Sequence, residues 1–350
     1  MKILHVTSGI NPQSGGPTRS VKGLCRALSR AGVEVSLLVL RGNDPFENPS
    51  GVNVLRGDIP DISDYDLVHL HGLWNLGLHR VVKLCRRCKT PYVISPRGML
   101  DPWALSVKKW KKKVAMCLYQ RKDLQNAAAF HVTAETELEH VRTSGFSQMC
   151  IVSPNAVDLP EKMPEWHTDD NVKTVIFLSR LHPGKGLLTL ARAWAIIRRH
   201  DWKMKIVGPD LYGHKQEVLE TLVGLGISDE WEFVESLDDV QKWNAYRSAS
   251  FMVHPSVSEN FGITIAEGLA AELPVIATKG TPWKELDDRR CGWWIDIGVV
   301  PLAAAMQECM SMSDSERRQM GARGRRLIEE KYTWTAAVKT LLEGYRGVLK

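Results

Sequence analysis

The sequence predicts an α/β protein built from two doubly wound parallel-sheet domains in tandem. Short apolar runs alternate with longer helical patterns along the whole chain, which is the signature of parallel sheets covered by helices. This alternation stops at a polar, proline-containing stretch, residues 159–171, and restarts at Lys173-Thr-Val-Ile-Phe-Leu. The 350 residues suffice for two cores of ordinary size. The predicted boundaries are 1–165 and 166–334, with a closing segment 335–350.

The first domain opens on a buried strand at 3–7. Its apolar run is too short for the core of a signal peptide, and no stretch approaches the ~18 apolar residues of a membrane span, so a cytoplasmic location is expected. A helix at 18–31 follows, then strands at 34–39, 67–71, 92–95, 129–132 and 150–152, with a further helix at 77–87. The second domain reads as strands at 173–179, 203–207, 231–234, 251–254 and 274–277, a helix near 187–199 and a final helix at 335–349. Apolar residues at 44% and charged residues at 25% describe a globular chain. Its seven cysteines are irregularly spaced. Cys85 and Cys88 form a single Cys-x-x-Cys with no further ligands, so no metal site is expected.

Two glutamates carry the most chemical information. Glu259 and Glu267 flank a loop-to-helix entry, Ser-Glu-Asn-Phe-Gly-Ile-Thr-Ile-Ala-Glu at 258–267. A helix start offers unpaired N–H groups and the positive dipole end, which suit a phosphate. Carboxylates on either side repel the anion itself but accept hydrogen bonds from hydroxyl groups flanking it. A diphosphate hydroxylated at both ends is a nucleotide sugar. Directly after the strand at 173–179 lies Ser-Arg-Leu-His-Pro-Gly-Lys-Gly at 179–186. Arg180 and Lys185 in one loop can neutralise a diphosphate, the first as a planar fork and the second as a point charge. Ser-Gly-Gly-Pro-Thr-Arg-Ser at 14–20 is a glycine-bearing loop opening a helix, where Gly15 and Gly16 permit close backbone approach. It is neither a dinucleotide fingerprint nor a Walker loop.

These residues, with the Pro255-Ser-x-Ser-Glu-Asn-Phe-Gly run, resemble the donor site of retaining glycosyltransferases of family four. The resemblance extends to Asn155–Asp158, to Gly208 after a strand and to Gly280-Thr-Pro282. It implies the GT-B fold of two facing Rossmann-like domains with the site in the cleft between them, and a final helix that crosses back onto the first domain. It also implies roles: Arg180 and Lys185 on the donor diphosphate, Glu259 on the transferred sugar and Glu267 on the ribose. Backbone amides of Asn260, Phe261, Gly262 and Ile263 complete the phosphate cradle, with Gly15, Gly16 and Gly208 close to the nucleotide. No metal or other cofactor is implied, since fixed cations and amides stabilise the leaving diphosphate. Many members carry a histidine after the strand matching 92–95; here Arg97 stands at about that position, in the Ser-Pro-Arg-Gly-Met run that a subset of polysaccharide-assembly enzymes shares. Arg97 suits donor or acceptor phosphate, and His71, at the end of the preceding strand, suits acceptor positioning.

Net charge is +6, and residues 1–172 carry 22 Lys/Arg against 17 Asp/Glu. Much of this excess lies at 103–122, where Trp103 and Trp110 mix with Lys108, Lys109, Lys111, Lys112 and Lys113. A basic helix with aromatics fits an anionic membrane surface, and the alternative is a solvated face whose aromatics are core. A lipid-linked saccharide acceptor of bacterial surface polysaccharide or lipopolysaccharide assembly accords with the first. Nucleic acid is disfavoured because no reading helix or single-strand motif accompanies the cluster. A non-hydrolysing nucleotide-sugar epimerase of the same fold, a nicotinamide-dependent oxidoreductase and a non-catalytic membrane-binding protein are the competing readings. Oligomeric state is not legible.

Overall fold

The computed structural model describes residues 1–10, 16–41, 46–167 and 172–350. Contacts divide it into two units, Met1–Ala156 with Thr333–Lys350, and Val157–Tyr332. Gly15 and Asn171 lie outside the described residues.

In the first unit the described strands are β1 (Lys2–Thr7), β2 (Glu34–Val39), β3 (Asn53–Arg56), β4 (Leu67–His71), β5 (Tyr92–Ser95), β6 (Ala129–Val132) and β7 (Met149–Val152). They pair in parallel in the order β3-β2-β1-β4-β5-β6-β7. Period-two alternation sends Leu4, Val6, Val68, Leu70, Ile94, Phe130 and Val132 to one core. Ile3, Val35, Leu37, Val39, Leu67, Val93 and Ala129 go to the other, closed by helices Gly16–Arg30 and Trp334–Leu349. On that second face the carboxyl-end positions turn polar: His5, His69, His71, Ser95 and His131 are all buried.

The second unit holds β8 (Lys173–Leu178), β9 (Trp202–Val207), β10 (Trp231–Val234), β11 (Phe251–His254), β12 (Val275–Thr278) and β13 (Gly292–Ile295) among the described residues. All are parallel, in the order β10-β9-β8-β11-β12-β13. Val175, Phe177, Met204, Ile206 and Val253 pack beneath helices Leu187–Ile197 and Val299–Ser311. Ile176, Met252, Val275 and Ala277 pack on the opposite side with helix Ile263–Ala270.

Several expectations need correction. The contact boundary falls after Ala156, ahead of 165/166. Leu159, Met163 and Trp166 pack against the second unit's core, and Val157 N–H donates to the Tyr332 carbonyl at 3.1 Å. The segment 103–122 is several helical pieces. Pro102–Ser106 ends before Lys108, which has a φ of 52°, and Lys109–Ala115 then runs through a π-helical turn at Met116–Gln120 into Arg121–Gln125. Strands β3 and β13 are additional to the reading from sequence.

Candidate active site

In open parallel sheets ligands bind beyond the carboxyl ends of the strands, where the strand order reverses. In the second unit that switch point lies between β8 and β11, so the loops after these two strands define the site. They are 179–186 and 255–262, the two segments singled out from sequence. The loops are tied together: Val257 N–H donates to the Gly184 carbonyl at 2.9 Å, and His182 caps the Gly184 amide at 3.0 Å. Gly186 has a φ of 75°, and a methyl there would sit 2.1 Å from the Pro255 carbonyl oxygen. Gly280 is held as closely: its carbonyl accepts from Glu259 N–H at 2.7 Å, and a methyl on it would lie 2.3 Å from the Val257 oxygen. Gly208 packs on the Ser179 carbonyl in the same way.

Within this frame Lys185 donates to Glu259 Oε1. The same carboxylate oxygen accepts from His254 Nε2 at 2.8 Å and from the Ser256 hydroxyl at 3.1 Å. Burial alone would raise the Glu259 carboxyl, but Lys185 and His254 outweigh it and hold it well below the usual carboxylate range. Burial pushes His254 down, against the pull of Glu259. Arg180 is half-buried on the same loop and has no ion-pair partner among the described residues. The site therefore keeps Glu259 ionised.

Helix Ile263–Ala270 begins at Gly262, in the left-handed region at φ 78°. Phe261 is a core side chain, 5% exposed, packed on Trp283 and Tyr332. Its carbonyl accepts from Trp283 Nε1, which anchors the helix entry to the core. Asn260 and Ile263 are half-buried beside it. Glu267, one turn into the helix, is 5% exposed. Its Oε1 accepts from Lys242 Nζ at 2.8 Å and its Oε2 from the Tyr246 hydroxyl at 3.1 Å. His254, Ser256, Lys242 and Tyr246 were not singled out from sequence. Only the spacing of Lys242 and Tyr246, four apart on one helix face, hinted at a shared partner.

In the first unit the switch point lies between β1 and β4. Pro96-Arg97-Gly98-Met99 forms a tight turn closed by Met99 N–H on the Pro96 carbonyl at 3.1 Å, with φ of 57° at Arg97 and 74° at Gly98. These are the dihedral signs of a type I′ turn, an unfavourable conformation for arginine. Glu137 secures the turn by accepting from Gly98 N–H at 2.7 Å. The Arg97 guanidinium donates to Ser20 Oγ, Asn155 Oδ1 and His71 Nδ1, each at 3.1 Å. It thus rests on neutral acceptors, with no ion pair to a carboxylate among the described residues.

The tautomers follow from this arrangement. Because Arg97 can only donate, His71 Nδ1 accepts, and His71 Nε2–H donates to His5 Nδ1 at 3.0 Å. A second chain runs from the other side. The Ser153 carbonyl can only accept, so His131 Nε2–H donates to it at 3.0 Å. The Ser95 hydroxyl then donates to His131 Nδ1 at 2.9 Å and accepts from His69 Nε2–H at 2.8 Å. Tyr345 O–H, from the last helix, completes the chain on His69 Nδ1 at 2.5 Å. All four histidines are neutral. Burial pushes His5 and His131 down to about 3, and burial with Arg97 holds His71 far below its ordinary value. His5, His69 and His71 lie within metal-ligand reach of one another, with ligand atoms inside 4.8 Å. The adjacent guanidinium and the committed His5–His71 bond make this a poor cation site.

The basic segment presents its apolar side outward. Trp110, Val114 and Leu118 recur at one-turn spacing and are 76, 42 and 76% exposed, with Trp103 and Val107 at 41 and 43%. Met116 packs on the core instead, and Lys112 turns back to the Ala104 carbonyl. Lys108, Lys109, Lys111 and Lys113 are exposed around the stripe. No helix among the described residues is long and apolar enough to cross a membrane.

Two family models match consecutive parts of the chain: "Glycosyl transferase 4-like domain" over residues 15–156 and "Glycosyl transferases group 1" over 158–327. An uncharacterized glycosyltransferase of Methanocaldococcus jannaschii is 26% identical, over 99% of this chain and 98% of its own length. The GDP-mannose:cellobiosyl-diphosphopolyprenol alpha-mannosyltransferase of Komagataeibacter xylinus is 23% identical, over 100% and 94%. Among solved structures, Anabaena Alr3699/HepE in complex with UDP and glucose superposes with a TM-score of 0.78 at 16% identity, covering 99% of this chain and 100% of that one.

Proposed function

We propose, for a chain that belongs to the group 1 glycosyltransferases with a glycosyltransferase 4-like first half, that it transfers a sugar from a nucleoside diphosphate with retention at the anomeric carbon. One observation carries this reading. The loops after β8 and β11 are joined by the Lys185–Glu259 pair just ahead of the helix that starts at Gly262 and carries Glu267, and this supports a donor-diphosphate site there. Cations and amides there stabilise the charge that develops on the leaving diphosphate, so the reaction proceeds without a metal. Glu259, kept ionised by Lys185 and His254, accepts hydroxyls of the transferred sugar, and Glu267 accepts the ribose hydroxyls. Gly208, packed on the Ser179 carbonyl, lies close to the nucleotide in this reading. Arg97, bonded to His71 and to neutral oxygens, receives a phosphate or acidic group of donor or acceptor.

The acceptor in this reading is a saccharide on a lipid carrier, in surface-polysaccharide assembly. The exposed Trp110/Val114/Leu118 stripe among lysines supports it, because this is the composition that lies in an anionic interface. The alpha-mannosyltransferase of K. xylinus, whose name gives a diphosphopolyprenol acceptor, supports the same class.

A thermal-shift screen against UDP-, GDP-, ADP- and dTDP-sugars identifies the donor, since a ligand bound at 100 times its Kd stabilises by about 2.7 kcal/mol. Transfer to a polyprenyl-diphosphate saccharide is then followed with and without chelator. Strict Mg²⁺ or Mn²⁺ dependence overturns the metal-free reading. Donor consumption without any acceptor, yielding an epimer, overturns the transferase reading.

A further inference from the structure

Lys242 and Glu267 form a buried ion pair at 2.8 Å, with side chains 7 and 6% exposed. Such a pair is poor at stabilising a fold, since two desolvated charges are readily matched by apolar residues of similar volume. Its surroundings point to another use. Lys242 and Tyr246 stand one turn apart on helix Asp239–Arg247, and each takes a different oxygen of Glu267. Lys242 is held in turn by Asp239 Oδ1 at 3.2 Å and lies over the Trp243 ring, 5.3 Å from its centroid. The helix is fixed at its start by a reciprocal capping box between Asp238 and Gln241. Glu267 is thus clamped in one rotamer, and its charge is balanced one turn from a helix start suited to a diphosphate.

We infer that Lys242 and Tyr246 are positioning residues that make Glu267 selective for a nucleotide carrying an intact ribose diol. This rests on the proposed role of Glu267 at the ribose. A carboxylate accepts about four hydrogen bonds, so it can receive hydroxyl donors in addition to those from Lys242 and Tyr246. Without Lys242 the carboxylate would lose the cation that balances it beside the diphosphate. Without Tyr246 it could swing away from the diol. Lys242 thereby lets an acidic group serve close to an anionic ligand.

The test compares UDP with 2′-deoxyUDP and 3′-deoxyUDP, and GDP with its 2′- and 3′-deoxy forms, by calorimetric affinity. The wild type, Glu267→Gln, Lys242→Met, Lys242→Arg and Tyr246→Phe are measured, each checked for folding by circular dichroism and melting. The wild type is expected to prefer the ribonucleotide by about tenfold, the worth of one hydrogen bond to a charged group. Lys242→Met and Tyr246→Phe are expected to reduce that ratio severalfold, raising donor KM with kcat within about threefold, and Lys242→Arg to restore part of the preference. If the wild type or Glu267→Gln shows that Glu267 does not read the diol, the ribose assignment and this inference both fall. If Glu267→Gln abolishes the preference while folded Lys242→Met and Tyr246→Phe keep it, or lose both nucleotide types equally, the ribose assignment stands and the positioning role is overturned.

Discussion

Glu259 is held by three donors, and the identity of those donors sets what its replacement does. Glu259→Ala leaves Lys185 and His254 facing each other without a counter-ion, yet keeps Arg180 and the helix start for the diphosphate. Turnover is expected to fall about 100-fold with donor affinity within a few-fold, whereas Glu267→Ala weakens donor binding first. Steady-state kinetics with the donor found by screening decides it, and unchanged kinetics in both variants removes the site. The neutral histidines make a second residue-scale prediction. Their folded values are depressed, so the unfolded chain binds more protons between about pH 6.5 and 3. Stability contributed by this network is complete above about pH 6.5 and declines as pH falls toward 3. Urea unfolding at pH 7, 5.5 and 4.5, followed by a probe in the first unit, should show that loss. A flat profile would mean that the imidazoles take up protons in the folded protein as they do in the unfolded chain.

At the scale of elements, the last helix is fastened to β4 through one hydroxyl. Tyr345→Phe removes the donor to His69 Nδ1 and strands a buried acceptor, which costs about 1–3 kcal/mol. Gly344→Ala acts by crowding, since its methyl would lie 2.5 Å from Ile151, with a similar loss of about 1–3 kcal/mol. Both should appear as lower melting temperatures. The basic segment behaves oppositely. Trp110→Ser with Leu118→Ser should leave melting unchanged, because both side chains are exposed, and should weaken co-sedimentation with phosphatidylglycerol vesicles. Binding that persists in this variant would show that the stripe does not touch lipid.

Elements also show what the sequence made legible. The central strands are short, mostly apolar runs rich in valine, isoleucine and leucine, and their positions follow from composition. Strand β3 is four residues, half-exposed at the sheet edge, with only Val54 and Leu55 apolar, and β13 is an equally short edge strand that opens on Gly292. Likewise Arg180, Lys185 and the two glutamates stand in contiguous motifs. The bonds of Lys242 and His254 are long-range or strand-end contacts that only folding creates. The indole of Trp110 was legible as aromatic, but its exposure depends on which helix face the core rejects.

For the whole molecule, the two units each carry their own cores on both faces of their sheet. Residues 157–332 expressed alone are therefore expected to fold cooperatively and to bind nucleoside diphosphate, because Arg180, Lys185, Glu259 and Glu267 all lie within them. Circular dichroism melting and calorimetric titration with UDP and GDP check this. A fragment that folds but binds neither nucleotide would place essential donor contacts outside it. A chain ending at residue 332 should instead lose the first unit's stability, since Val338, Leu341 and Tyr345 belong to its core.

That last dependence reverses the usual order of maturation. Synthesis delivers β1 first, and N-terminal domains commonly finish folding while the remainder is still being made. Here the first sheet waits for residues 333–350, which are made after the whole of the second unit, before the His69 face is covered. The unit begun second is complete first, and a nascent chain interrupted anywhere before Tyr345 exposes a half-built face to the quality-control machinery of the cell.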